Sequence, residues 1–129
     1  MTRRSVTLEL PWPPASGNNA VRHAGRGVHF KTPAAKAYEA QVARVLADQG
    51  WGRGDGRSPL PGPLAVSWLL APPDRRARDL DNLRKVVADA LTRGGLWADD
   101  SNKVLTRESF EWSDSTPGGE VSLLVEVLA

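Results

Sequence analysis

The chain contains no cysteine, which excludes structural disulfides and thiolate metal sites and fits a reducing compartment. It has no apolar run of membrane-spanning length. After the two arginines of Met1-Thr2-Arg3-Arg4, Val6, Leu8 and Leu10 alternate with polar residues, which reads as a strand rather than the core of a signal peptide. A cytoplasmic location without a membrane partner is therefore expected. No glycine-rich phosphate loop follows a strand, which counts against a nucleotide-binding α/β domain and a nucleotide-sugar role. Charge of one sign is also scarce. Seventeen Lys and Arg oppose fifteen Asp and Glu, for a net charge of +2, so bulk electrostatics identifies no partner.

What is present is more telling. Thirteen of the seventeen basic residues are arginine, whose planar two-pronged donor set suits phosphate better than lysine does. GC-rich coding would also raise Arg, Ala, Gly and Pro, but it does not explain the cluster Arg75, Arg76 and Arg78. At 129 residues the chain is expected to form one domain, 1–129, with a modest core.

Along the chain, Ser5 to Leu10 predicts a first strand, stopped by Pro11-Trp12-Pro13-Pro14. The stretch to about Thr32 reads as a long loop carrying Asn18, Asn19, Arg22, His23, Arg26 and Lys31 just before the helix. Both histidines, His23 and His29, read as surface imidazoles. Thr32-Pro33 starts a helix that reaches about Gln49. Gly50 to Pro63 is turn-rich, and Leu64, Val66, Trp68 and Leu70 alternate as a second strand. A second helix is predicted from Leu80 to Arg93, closed by Gly94-Gly95, with Leu80, Leu83, Val86, Val87, Ala90 and Leu91 on one face. Val104–Trp112 and Val121–Leu128 read as strands that pair as a hairpin across 113–119. The sum is a small α/β (α+β) fold, a four-stranded mixed sheet with two helices on one face.

The chemistry concentrates around the second helix. Asp79 and Asp81 stand at its start, Lys85 one turn further, and Asp99-Asp100 beyond its end. Taken singly, Asp79 is an ordinary helix cap. Asp81 and Lys85 are a solvated pair four residues apart, on the same polar face as Asp89. Asp99-Asp100 by itself is a polar turn. Together, clustered carboxylates repel one another unless a cation lies between them. An oxygen-only set favours Mg²⁺ or Mn²⁺ over zinc. Acids for a metal beside arginines for phosphates suggest a nuclease. Asp100 could join the others if residues 94–100 run back beside the helix, which is just feasible in length, or if it comes from a second protomer.

This pattern resembles the RusA family of Holliday junction resolvases, the crossover-junction endodeoxyribonucleases common in phages and prophages. The resemblance runs from Pro11-Trp12-Pro13-Pro14, through Asn18-Asn19, Arg22-His23, Gly25-Arg26-Gly27 and the helix carrying Tyr38. It is strongest in Pro73-Asp74-Arg75-Arg76-Ala77-Arg78-Asp79-Leu80-Asp81-Asn82-Leu83-Arg84-Lys85. It ends in Asp89-Ala90-Leu91 and Gly95-Leu96-Trp97-Ala98-Asp99-Asp100. Two departures are a slightly long Ala15-Ser16-Gly17 and an unmatched Gly50–Pro63.

The resemblance implies that Asp79, Asp81 and Asp100 are the essential, metal-binding carboxylates, that Lys85 is the catalytic lysine, and that Asp99 and Asn82 neighbour the site. It implies a RusA-like α/β homodimer that needs Mg²⁺, with Mn²⁺ as a substitute. Its substrate would be a four-way DNA junction, resolved in recombination and repair by paired nicks that leave 3′ hydroxyls and 5′ phosphates. Arg75, Arg76, Arg78 and Asn82, with Arg22, Arg26 and Lys31 on the long loop, are the expected DNA contacts. The alternatives are a nuclease with a different branched-DNA preference and a junction-binding protein that does not cleave.

Overall fold

Strand β1 (Ser5–Pro11) buries Val6, Leu8 and Leu10 and exposes Ser5, Thr7 and Glu9. This is the period-two pattern of a sheet with one covered face. The computed structural model describes residues 5–14, 21–24, 28–51 and 59–128. After β1 come strands β2 (Val21–Ala24) and β3 (Val28–Lys31), helix α1 (Pro33–Asp48) and strand β4 (Leu64–Ala71). Helix α2 (Leu80–Arg93) and strands β5 (Leu105–Trp112) and β6 (Glu120–Val127) complete the order.

The main sheet has four strands in the order β1-β6-β4-β5. The β1–β6 and β6–β4 pairs are antiparallel and β4–β5 is parallel, so the sheet is mixed as expected. The expected β5–β6 hairpin is not formed, because β4 lies between the two strands. A parallel β4–β5 pair needs a crossover, and α2 with the segment after it supplies one. The chain then passes over the end of β4, where Ser113 N donates to Leu70 O (2.8 Å) and Thr116 N to Pro72 O (2.9 Å). Gly119 makes that passage possible: its φ is +71°, and a Cβ there would lie 2.8 Å from Trp12 Cβ.

Part of the expected long loop is a second small sheet. Strands β2 and β3 pair antiparallel, with Arg22 opposite Phe30 and Val21 opposite Lys31. Arg22 and Lys31 thus lie on strands, whereas Arg26, Asn18 and Asn19 lie outside the described residues.

Both helices begin where their caps demand. Thr32 Oγ1 accepts from Ala35 N at 3.2 Å and Pro33 occupies the first turn of α1. Tyr38, Val42 and Leu46 bury the α1 stripe, and Tyr38 donates its hydroxyl to Pro11 O at 2.8 Å. Burial pushes the Tyr38 phenol well above its ordinary range, so it stays a neutral donor. In α2, Leu83, Val86, Val87, Ala90 and Leu91 are buried, and Ala88 with them. These stripes share one core with the inward residues of β1, β4 and β6 and with Trp97. Each fully buried Leu or Val there contributes roughly 1.5–3 kcal/mol. The opposite sheet face carries Thr7, Ser67, Leu69 and Leu124 in solvent. No helix among the described residues is long and apolar enough to cross a membrane.

Candidate active site

The site is built where α2 starts, just after the carboxyl end of β4, the end of a parallel strand that commonly carries ligands in α/β sheets. Asp79 is the N-cap of α2. Its Oδ1 accepts from Asp81 N (2.9 Å) and more weakly from Asn82 N (3.5 Å), and its Oδ2 accepts from Asn82 Nδ2 (3.2 Å). Asp81 follows in the first turn, exposed, with no hydrogen bond or ion pair from its carboxylate among the described residues. The Asp79 carboxylate is held by backbone N–H groups of the first turn, and both acids lie at the positive end of the helix without a side-chain cation.

Lys85 lies one turn on. Its Nζ is 3.8 Å from Asp89 Oδ2, with both side chains exposed. Of its two possible partners four residues away it has taken Asp89, not Asp81. The pair is too long for a firm hydrogen bond.

Asp100 does return beside α2. Arg84 Nη1 lies 3.5 Å from Asp100 Oδ2, and Arg84 Nη2 donates to the Asp100 carbonyl at 3.4 Å. The same guanidinium makes a tighter pair with Glu108 on β5, Nη2 to Oε1 at 2.7 Å and Nε to Oε2 at 3.3 Å. Trp68 Nε1 also donates to Glu108 Oε2, at 3.0 Å. Arg84 and Glu108 were not anticipated from the sequence. The available signal was phase: Glu108 alternates with Phe110 and Trp112, so it is an acid on the inward face of a strand. Asp99 is turned to a different task, its Oδ1 accepting from Ser101 N at 2.8 Å. The Ser101 hydroxyl and backbone N–H hold its carboxyl below the usual range.

The arginine run divides. Asp74 accepts from Arg76 N (3.0 Å), from Arg76 Nη2 (3.2 Å) and from Arg78 Nη2 (2.8 Å). These hydrogen bonds, the backbone N–H of Arg76 first, hold Asp74 well below the ordinary carboxylate range. Arg78 also donates to the Asp74 and Arg76 carbonyls and sits 5.5 Å from the Trp12 ring centroid. It is a brace for the loop, and its side chain is only 17% exposed. Arg75 is exposed and carries no ion pair among the described residues.

The family profile described as Endodeoxyribonuclease RusA matches residues 11–124. The chain belongs to the RusA family. It is 40% identical over 100 residues to the crossover junction endodeoxyribonuclease RusA of Escherichia coli strain K12, covering 78% of each chain. It is 39% identical over 100 residues to the Shigella sonnei protein of the same name, again covering 78% of each chain. With the enzyme of Enterobacteria phage 82 it shares 40% identity over 97 residues, 75% of each chain. The RusA match takes in Asp79, Asp81, Lys85, Asp100 and the arginine loop.

A RusA family nuclease implies a divalent metal cofactor. Asp79 and Asp81 fit such an ion: exposed, oxygen-only, and without a cationic side chain of their own. Among the described residues, however, no group of three or more acidic or histidine side chains draws together to hold a metal. Within one chain, then, Asp100 does not join Asp79 and Asp81 in such a group.

Proposed function

We propose that this protein is a crossover junction endodeoxyribonuclease that resolves four-way DNA junctions by paired nicking, as a homodimer, with Mg²⁺ as its cofactor and Mn²⁺ as a substitute. The observation that carries the reading is the uncompensated pair Asp79 and Asp81 at the start of α2, one turn before Lys85 and directly after the arginine loop. Relatives carrying the crossover-junction name support the substrate.

Asp79 and Asp81 would hold the metal, with Asp100 completing the set from the partner protomer. When bound, the ion supplies positive charge at the scissile phosphate and at the attacking water. The chain's own residues do the rest. Two backbone N–H groups fix the direction of the Asp79 carboxylate, and Asp81 stands open beside it. Lys85 leaves its long contact with Asp89 and neutralises a non-bridging phosphate oxygen. Asn82, already bonded to Asp79, stands beside the cut strand. Arg75 and Arg76 track the backbone and position it without reading sequence, while Arg78 keeps their loop in shape. Arg22, Arg26 and Lys31 form a second contact with the arms of the junction. A dimer gives two dyad-related sites, matching two opposed strands. One core running from β1 to β6 supports a single domain over 1–129, and a cytoplasmic location suits the substrate.

The test is incubation of the protein with an end-labelled four-way junction, a three-way junction and a linear duplex in Mg²⁺, Mn²⁺ or EDTA. Symmetric nicks in the four-way junction, absent with EDTA, are expected. Equal cutting of the linear duplex, or binding without cleavage in either metal, would remove this reading. Binding should weaken steeply with salt, as it does for proteins that contact phosphates through arginine.

A further inference from the structure

Beside the arginine loop lies a cavity of about 430 Å³ whose walls include Arg75, Arg76, Arg78, Asp74, Trp112 and Asp114. It falls in the size range of ligand sites. Trp112 closes β5 with its side chain in phase with Phe110 and Glu108, yet it is 42% exposed. One side of the indole is braced by Trp12, with ring centroids 6.4 Å apart and planes inclined by 48°. Trp12 in turn carries the Arg78 guanidinium. Ser113 N, the next residue, is pinned to Leu70 O at 2.8 Å. A large aromatic surface is therefore held rigid and left open. Three guanidiniums face two carboxylates in the lining, and one of those carboxylates, Asp74, is already committed to Arg76 and Arg78.

We propose that Trp112 is a stacking platform for a nucleobase at the branch point of DNA, with Arg75 holding the adjoining phosphate. The inference rests on the branched-DNA reading above and extends it to a subsite. When a bound protein opens the arms of a four-way junction, bases at the strand exchange lose a stacking neighbour that they keep in linear duplex, and an exposed indole replaces it for any base. Charge complementarity favours a polyanion here over an apolar partner, and the open indole offers a stacking face that suits any base. The cavity lies in the turn of chain that leads into the Asp79 cap, so a base seated there sets which phosphate reaches the acids.

The test compares Trp112→Ala and Trp112→Phe with the unaltered protein, in Ca²⁺, on a four-way junction and on a linear duplex of the same sequence. Trp112→Ala should lose about ten-fold in junction affinity and less than two-fold on the duplex, while Trp112→Phe keeps most of the affinity. Equal losses on both DNAs, or none, would overturn the subsite. A junction carrying 5-iodouracil at the branch point should photocrosslink to Trp112, a result that needs no variant and stands even if Trp112→Ala folds poorly; crosslinks confined to other residues would refute it. Loss of dimer mass in Trp112→Ala by sedimentation would show that the indole packs against a second copy instead. If the unaltered protein does not prefer junctions at all, the branched-DNA reading fails and the subsite with it.

Discussion

Two acidic regions lie along α2, and their carboxylates have opposite surroundings. Asp79 and Asp81 at the helix start have the helix dipole, and Asp79 two backbone N–H groups, but neither has a cationic side chain of its own. Asp100 and Glu108 share the Arg84 guanidinium, with Glu108 also receiving the Trp68 indole N–H. The first region is open to an incoming cation, whereas the second already contains one, held tightly by Glu108 and only loosely, at 3.5 Å, by Asp100. Proximity of carboxylates alone would not separate them; the counter-charge does.

The largest effect should follow from removing charge in the open region. Asp79→Asn or Asp81→Asn should lower junction cleavage by about 10³-fold or more, the scale on which electrostatic groups at a reacting centre act. Junction binding should stay equal or tighten, since only negative charge is lost. A gel assay of cleavage beside a mobility shift checks both, and a variant cutting at the wild-type rate would dismiss that residue from the site.

The role of Asp100 is sharpened by mixing. Asp79→Asn and Asp100→Asn chains should each be inactive alone. If Asp100 acts across the dimer, a mixed dimer contains one intact site and one doubly altered site, so mixing restores single nicks in the junction. If Asp100 acts within its own chain, every site in the mixture is broken and no nicking returns.

How far this contrast was legible in the sequence depends on the range of each interaction. The α2 boundaries and buried stripe were, because capping and helical phase act within a few residues; the observed helix, Leu80–Arg93, is the predicted one. The neighbour of β5 was not. A seven-residue connection between two strands suggests a hairpin, and only the parallel pairing of β4 with β5 places β4 between them. The β2–β3 pair was missed because each strand is only four residues long and Val21-Arg22-His23-Ala24 does not alternate, so the brief alternation of Val28 and Phe30 had no partner pattern. Lys85 had two acids at helical distance and its choice of Asp89 depends on side-chain geometry, while Arg84 and Glu108 are 24 residues apart and no local pattern links them.

Stability should separate the regions at an intermediate scale. Arg84→Ala leaves the half-buried Glu108 without its cation and should cost about 1–3 kcal/mol, below the range for fully buried pairs because both side chains retain some exposure. The double variant Arg84→Met with Glu108→Gln should recover most of that loss, since no unpaired charge is left behind and the Gln carbonyl can still accept from Trp68 Nε1. Urea denaturation measures both. By contrast Asp79→Ala removes a helix cap and should cost about 0.5–2 kcal/mol, and no second substitution on β5 should rescue it.

The smallest effect concerns acid. Hydrogen bonds depress the carboxyls of Asp74 and Asp99 in the folded chain below the ordinary value of 3.8. A group whose folded pKa is lowered contributes stability above its unfolded pKa and loses it as pH falls toward the folded one. Both side chains remain accessible to solvent, so each contribution is small. Melting temperature should therefore fall between about pH 5 and pH 2, and Asp74→Asn should flatten that limb more than Asp99→Asn, because two arginines as well as a backbone N–H hold Asp74 down. Should the two variants flatten it equally, the Arg76 and Arg78 contacts do not persist in solution. The loop would then lack the brace that presents Arg75 beside the open acids, and the contrast between a prepared cation site and a self-neutralised one would have to rest on α2 alone.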